Sequence, residues 1–557
     1  MKRLPIGIET YEVLAKECYY VDKTELIEKI DAFPSTSVVL VARPRRFGKS
    51  TALSMIRCFF ETGEDPAPYF ERTYIQSKGG AIWEKRGKYP VITLNFKNLH
   101  PASFPELLRE LSEVIRLEYA RHPEILECPL QEADRDFVSK VGKGELDAID
   151  LGHSLSTLIR LLYQAHGENV IVLIDEYDGL IQEAAGDSQF YESAIRLFQT
   201  FYGTALKGNP MLRFCLLTGV FEIAKDSLTS SLNNPAVFTV LDDGLSPYFG
   251  FTEEETKALL EEVGYGEKLQ EALSWYGGYR FGNSLIVNPW SIIQFLSKSG
   301  RLGRYWTNTS RNSLLERVIF RSESSAESLR ALLSDNGGLS AAIEPTITYQ
   351  DLNDSTSALV SSLTFLGYLS VVEEMDVGIY RVRLPNKEIA SIFQKEIIDH
   401  YFRSSSYDLV FDFRKAFSSG DGETMQKVLE TSLLSTINYP GFDSEGLYQG
   451  MILCLLAIAY RDATVEAEPP SGKGRCDILL KPRNGGDVGV CIELKHLKGK
   501  TSSARLKESA EAALAQIKRM DYGEALRKEG VKRLFYYGIS VAKKNIRILF
   551  EEETFRE

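Results

Sequence analysis

The chain has 557 residues, 44% hydrophobic and 25% charged, which excludes a single compact core and excludes a disordered or fibrous polymer. Its seven cysteines form no CxxC pair or Cys/His cluster, and no apolar run reaches eighteen residues, so neither a disulfide framework, a structural zinc nor a membrane span is expected and the protein is read as cytoplasmic. A net charge of −12 argues against a nucleic-acid partner only on average: residues 471–550 hold 18 Lys plus Arg against 8 Asp plus Glu, a local +10 that leaves −22 elsewhere.

In chain order, the apolar run 37–42 predicts a strand entering the loop Arg43-Pro44-Arg45-Arg46-Phe47-Gly48-Lys49-Ser50-Thr51, and a helix ending near Phe60. Further strands are predicted at 91–96, 170–174 and 214–217, separated by amphipathic helices such as 103–119 and 154–166, and this alternation indicates a doubly wound parallel sheet. Thr252 with Glu255 forms a capping-box pattern that opens a mostly helical stretch to about Arg330, expected as a lid. Residues 346–385 read as helices followed by an alternating hairpin, the profile of a winged helix, and helices continue to about Ser435. Asn438-Tyr439-Pro440-Gly441 marks a turn and a boundary. The last segment reads as a helix at 445–460, strands at 463–468, 475–480 and 489–494, a helix at 505–520 and a strand at 533–539. The expected division is therefore 1–250, 251–340, 341–435 and 436–557, an α/β multidomain chain.

Binding a nucleotide's phosphates takes backbone N–H groups at a helix N-terminus, an ammonium for the terminal phosphates and a hydroxyl for Mg²⁺. Gly48, Lys49 and Ser50 supply these, although GxxxxGK[ST] would want glycine where Arg43 stands, so a basic loop that merely caps a helix is the competing reading. The apolar strand 170–174 runs into Asp175 and Glu176, placed for orienting Mg²⁺-bound water and for activating an attacking water, and the strand at 214–217 ends at Thr218-Gly219, where a hydroxyl could sense the terminal phosphate. Together with Leu4-Pro5-Ile6-Gly7, Tyr20-Val21-Asp22-Lys23-Thr24, Ile174-Asp175-Glu176-Tyr177-Asp178, Leu232-Asn233-Asn234 and Asn288-Pro289-Trp290-Ser291, this loop resembles the AAA-ATPase-like family of bacterial proteins over about residues 4–300. The resemblance implies a P-loop ATPase core with a lid and a winged helix. It implies ATP and Mg²⁺ as cofactors, with Lys49, Ser50, Asp175 and Glu176 as their residues. The nucleotide set expected on this footing is Arg46, Gly48, Lys49, Ser50, Thr51, Asp175 and Thr218, with Ser50 and Asp175 on the metal and Glu176 catalytic.

In the basic C-terminal block, Asp477 opens one strand, and Glu493 and Lys495 share a face of the next because side chains alternate along a strand. Two carboxylates can hold Mg²⁺ beside a phosphodiester while the ammonium positions water or answers developing charge; an ordinary exposed Glu/Lys pair is the alternative. The order helix, three strands, helix, strand around these residues resembles the PD-(D/E)xK nuclease superfamily over about 440–545. That resemblance implies a helix-borne acid at Glu445 and a helix glutamine at Gln516. The basic residues Arg505, Lys507, Lys518, Arg519, Lys532, Arg533, Lys543 and Lys544 are then expected to meet phosphates. His100, His153, His166 and His496 form no ligand pattern, and the aromatic run from Trp275 to Phe281 reads as core. The expected protein is an ATP-controlled, Mg²⁺-dependent nuclease acting on nucleic acid, DNA first, in defence or mobile-element biology, with homo-oligomerisation left open. Its rival is a nucleotide-switched scaffold that grips nucleic acid or a protein without cutting.

Overall fold

The computed structural model describes residues 2–223, 235–306, 332, 338–347, 356–393, 406–436, 448–449, 452–453, 455–456, 463–467, 469–482, 487–499, 501–543 and 545–555. Glu445, Lys544, the turn at 438–441 and the Leu232-Asn233-Asn234 motif lie outside the described residues. The chain falls into two compact units, one from residues 1–308 with 340–388, the other from 309–339 with 389–557.

The first unit is organised by a parallel sheet. Its strands, in chain order, are β1 (Ser37–Ala42), β2 (Val91–Asn95), β3 (Val170–Asp175), β4 (Leu212–Gly219) and β5 (Ala236–Phe238). They lie side by side as β2-β3-β4-β1-β5, every neighbouring pair parallel. A parallel sheet is covered on both faces, and the sequence shows why: Val170, Val172 and Ile174 pack into one core while Ile171 and Leu173 pack into another. Helices α1 (Lys49–Phe60), α2 (Phe104–Ala120), α3 (Ala148–His166) and α4 (Ser188–Leu206) supply the covering layers. Register brings the C-terminal ends together, with Ala42 beside Gly219, Asp175 beside Thr218, and Asn95 beside Asp175.

Beyond residue 250, α5 (Glu253–Val263) starts on the expected capping box, Thr252 accepting from Glu255 N at 3.2 Å and Glu255 accepting from Thr252 N at 2.7 Å. The stretch is not purely helical, however. Strands β6 (Tyr279–Phe281) and β7 (Ser284–Val287) form a hairpin that pairs onward with Phe251–Thr252. Phe281 pairs with Ser284, so Gly282-Asn283 is a two-residue loop, and Gly282 takes the positive φ of 51° that such loops demand. Helix α6 (Pro289–Ser297) follows, capped by Asn288. Of the expected winged helix, the described residues hold one helix, α7 (Thr356–Leu366), and the hairpin β8 (Ser370–Asp376) and β9 (Ile379–Arg383).

In the second unit, helices α8 (Ser406–Ser419) and α9 (Gly422–Thr436) precede a five-stranded mixed sheet. Its order is β10 (Ala463–Ala467), β11 (Ile478–Pro482), β12 (Val488–His496), β13 (Arg533–Ala542), β14 (Asn545–Thr554); only β12 and β13 run parallel. Helix α10 (Ser503–Met520) makes the crossover between those two, and packs with Leu514 and Ile517 over Cys476, Cys491 and Tyr536.

Candidate functional sites

The loop after β1 turns sharply into α1, with Arg46 at φ 69° and Gly48 at φ 85°. Nothing lies within 4 Å of where a Cβ would stand on Gly48, which leaves room for a phosphate to approach the backbone. Lys49 is 6% exposed and donates to the loop's own carbonyls, Arg43 O at 2.9 Å and Pro44 O at 3.0 Å. Burial lowers its pKa, and the carboxylates of Asp175, Glu176 and Asp178 oppose that fall. Ser50 donates to Asp175 Oδ2 at 2.6 Å, so the hydroxyl and carboxylate that could share a Mg²⁺ are already adjacent.

Thr218, fully buried, donates to Asp175 Oδ1 at 2.7 Å. Its hydroxyl is thus committed to holding the acid. Gly219 is required beside it, since a Cβ there would come within 2.7 Å of Tyr177 and Asp178. Asp178 in turn accepts from Val220 N and Phe221 N at 3.1 and 3.0 Å, tying the acidic strand end to the next one. Glu176 adopts φ 53°, a left-handed conformation that is strained for a non-glycine residue and persists where the surrounding structure over-determines it. Burial raises its pKa, Lys49 opposing. Thr51 lies in the first turn of α1 and, with Tyr20, Gly48, Met55, Phe251 and Pro289, lines an apolar cleft.

Sequence reasoning missed what Arg43 does where the usual loop has glycine. Its guanidinium is fully buried, donating to Ala42 O at 3.0 Å, Phe238 O at 2.9 Å and Ser246 Oγ at 3.3 Å, over the rings of Phe249 and Phe281. Burial pushes its pKa down to about 9, with Asp242 opposing. Arg43 therefore staples the loop to the neighbouring strand and the lid. The next residues reach further: Arg46 lies 4.0 Å from the Trp290 ring centre, and Trp306 donates from its indole to Arg45 O at 3.3 Å. Buried Glu388 accepts from Ser291 Oγ, Tyr305 N and Trp306 N, fixing that lid segment; its role carried no signal in the sequence.

In the second unit Ile478 pairs with Ile492, which places Asp477 opposite Glu493. Asp477 Oδ2 accepts from Leu494 N at 2.7 Å, and Gln449 donates to the Asp477 carbonyl at 3.1 Å. Glu493 is 2% exposed; Lys495 Nζ at 2.8 Å and the Gln516 amide both donate to its Oε1. Its Oε2 is buried with no hydrogen-bond partner, and a buried acceptor left so costs on the order of 1–3 kcal/mol unless something else meets it. A divalent cation fits that donor set. Burial, with Asp477 adding to it, raises the Glu493 pKa to about 7 against the pull of Lys495. Tyr522, unnoticed in the sequence, accepts from Gln516 at 3.3 Å and completes the support of that amide. No group of three His, Cys, Asp or Glu is gathered among the described residues. His496 lies on the other strand face, its ring 5.5 Å from that of Tyr448.

The basic patch is less open than its charge implied. Beyond residue 550 the sequence adds Glu551, Glu552, Glu553 and Glu557 against Arg556, and β14 carries the first three back alongside the patch. Lys518 pairs with Glu551, Arg533 with Glu552 at 2.7 Å, and Arg527 with Glu553 at 3.8 Å. Lys507 pairs with Glu511 at 3.8 Å.

A phosphate-loop fold in the first unit and a strand-borne acid, acid, lysine set in the second define a two-part protein. Residues 5–229 match the family model described as "Predicted AAA-ATPase", and residues 443–551 match that of the PD-(D/E)XK nuclease superfamily. The layout is therefore an N-terminal ATPase-like domain and a C-terminal nuclease-like domain, of kinds that use nucleotide and divalent metal, the latter implying a nucleic-acid substrate. A relative from Azotobacter chroococcum mcd 1, "Uncharacterized protein in vnfD 5'region", is 26% identical over 409 residues, covering 72% of this chain and 70% of its own. Among the described residues no helix is long and apolar enough to cross a membrane.

Proposed function

We propose that the protein is an ATP-binding, ATP-regulated, Mg²⁺-dependent nuclease that hydrolyses phosphodiester bonds, DNA being the first substrate to test. The observation that carries this reading is the meeting of Asp477, Lys495 and Gln516 around Glu493, whose Oε2 is buried and unbonded. Asp477 and Glu493 would hold the Mg²⁺, which supplies Lewis-acid polarisation of the phosphate and a more acidic water. Gln516 fixes the Glu493 carboxylate in place. Lys495 keeps an ammonium beside it that can orient the attacking water or answer charge on the phosphate oxygens.

At the nucleotide site, Ser50 and Asp175 would hold Mg²⁺ and Glu176 would take a proton from water. Lys49 would exchange the Arg43 and Pro44 carbonyls for phosphate oxygens. That exchange loosens the loop between Arg43 and Arg46, whose contacts run to Trp290, Tyr305 and Trp306, so regulation by nucleotide would pass through the lid segment that Glu388 holds. A role in defence or mobile-element biology is part of the proposal. The test is purified protein incubated with DNA and RNA, with and without ATP and Mg²⁺. Metal-dependent cleavage that is lost in Asp477→Ala and Glu493→Ala, with ATP hydrolysis intact, is expected. Binding without cleavage under every condition would leave the scaffold reading instead.

A further inference from the structure

Helix α10 lies on its sheet through Leu506, Ala510, Ala513, Leu514 and Ile517, and its two flanks differ chemically. At about 100° per residue, Arg505, Ser509, Ala512 and Arg519 all fall within roughly 60° of Gln516, in one stripe. Lys507 and Lys518 fall about 180–200° away, on the opposite flank. That opposite flank is neutralised, Lys507 by Glu511 and Lys518 by Glu551. On the Gln516 flank, Arg505 and Arg519 are exposed, and neither has an ion-pair partner among the described residues. Ser509 and Ala512 between them project little, so a chain could lie close to the helix. The stripe passes Gln516, whose amide donates to Glu493, the carboxylate with a buried oxygen that has no hydrogen-bond partner.

We propose that this flank is the track on which a nucleic-acid backbone lies, Arg505 and Arg519 taking phosphates on either side of the bond presented to Glu493. The proposal rests on the nuclease reading of that site. Fourteen residues at about 1.5 Å each separate the two arginines by roughly 21 Å. With about 3.4 Å per nucleotide along one strand of a duplex, the track spans about six nucleotides. The partner's recognised chemistry is the phosphodiester backbone, and the paired lysines of the other flank take no part.

The full-length protein, kept in EDTA so that nucleic acid stays whole, would be titrated into a fluorescein-labelled 30-mer as duplex DNA, single-stranded DNA and RNA, over a range of KCl concentrations. On the probe that binds tightest, the double change Arg505→Ala with Arg519→Ala is expected to weaken binding tenfold or more. On duplex DNA it should make the plot of log affinity against log salt shallower by about 1.8, from 0.9 per phosphate. Arg505→Lys with Arg519→Lys should keep most of that slope, which separates lost charge from misfolding. Lys507→Ala with Lys518→Ala should bind within about twofold of the parent. Equal loss in the two alanine pairs, no loss in the arginine pair, or no binding to any probe overturns the track. Cleavage in Mg²⁺ is read separately. An arginine-dependent complex that is never cut removes the nuclease reading and keeps the track; cleavage indifferent to both arginines does the reverse.

Discussion

A cation held by Glu493, as proposed, should bind with an affinity that depends on pH in a range where an ordinary carboxylate's would not. Burial raises its pKa from 4.5 to about 7, and a cation binds the ionised form, so binding must displace a proton. With a pKa of about 7, roughly a tenth of the carboxyl is ionised at pH 6 and roughly nine-tenths at pH 8, so apparent Mg²⁺ affinity should rise about tenfold between them. Stability carries the opposite sign in metal-free protein. A carboxyl whose folded pKa is raised stabilises the fold while protonated; that contribution is whole below about pH 4.5 and is lost as the pH climbs through about 7. Thermal melts in EDTA should therefore weaken over that interval, and saturating Mg²⁺ should offset the loss at the upper end. Lys495→Met removes the main opposing cation, so the midpoint of the affinity curve should move to higher pH. Calorimetric Mg²⁺ titrations at several pH values, in buffers of different ionisation enthalpy, measure both affinity and protons released. Affinity that is flat from pH 6 to 8 with no proton release would refute the reasoning.

Three further outcomes are expected. Lys49→Ala should abolish measurable ATP binding, whereas Glu176→Gln should keep binding and slow hydrolysis, as read by nucleotide titration and phosphate release. Asp477→Ala should eliminate cleavage while Lys495→Ala lowers it by about 10²–10³, the scale of one lost oxyanion donor, with ATPase rates unchanged in both. Arg43→Met should lower stability by about 1–3 kcal/mol in denaturant unfolding, because it takes the guanidinium donor from the Ala42 and Phe238 carbonyls, and Arg43→Gly should not recover the parent's stability.

Much of the scaffold was legible because its signals are local. The uninterrupted apolar run before Asp175 could only be a strand buried on both faces, and β3 is that strand. The predicted strand 37–42 and the helix to Phe60 match β1 and α1, and the Thr252 capping box forms with both of its hydrogen bonds. The hairpin of β6 and β7 was missed although Gly282-Asn283 is a recognisable two-residue turn, since the aromatic run ahead of it reads equally well as a helix face. Arg43, Glu388 and Tyr522 owe their positions to long-range packing, which no window of neighbouring residues records. Charge was misjudged for a related reason: the window that summed to +10 stopped one residue short of the glutamates that β14 folds back against it.

Tryptophan placement gives the nucleotide site an optical reporter of its own. The chain has four tryptophans, and Trp290 and Trp306 both touch the P-loop, one beneath the Arg46 guanidinium and the other through an indole hydrogen bond to Arg45 O. A guanidinium over an indole face and a hydrogen-bonded indole N–H each colour emission strongly. Any rearrangement of Arg45 and Arg46 on filling the loop should thus be visible as a change in intrinsic fluorescence, without a label.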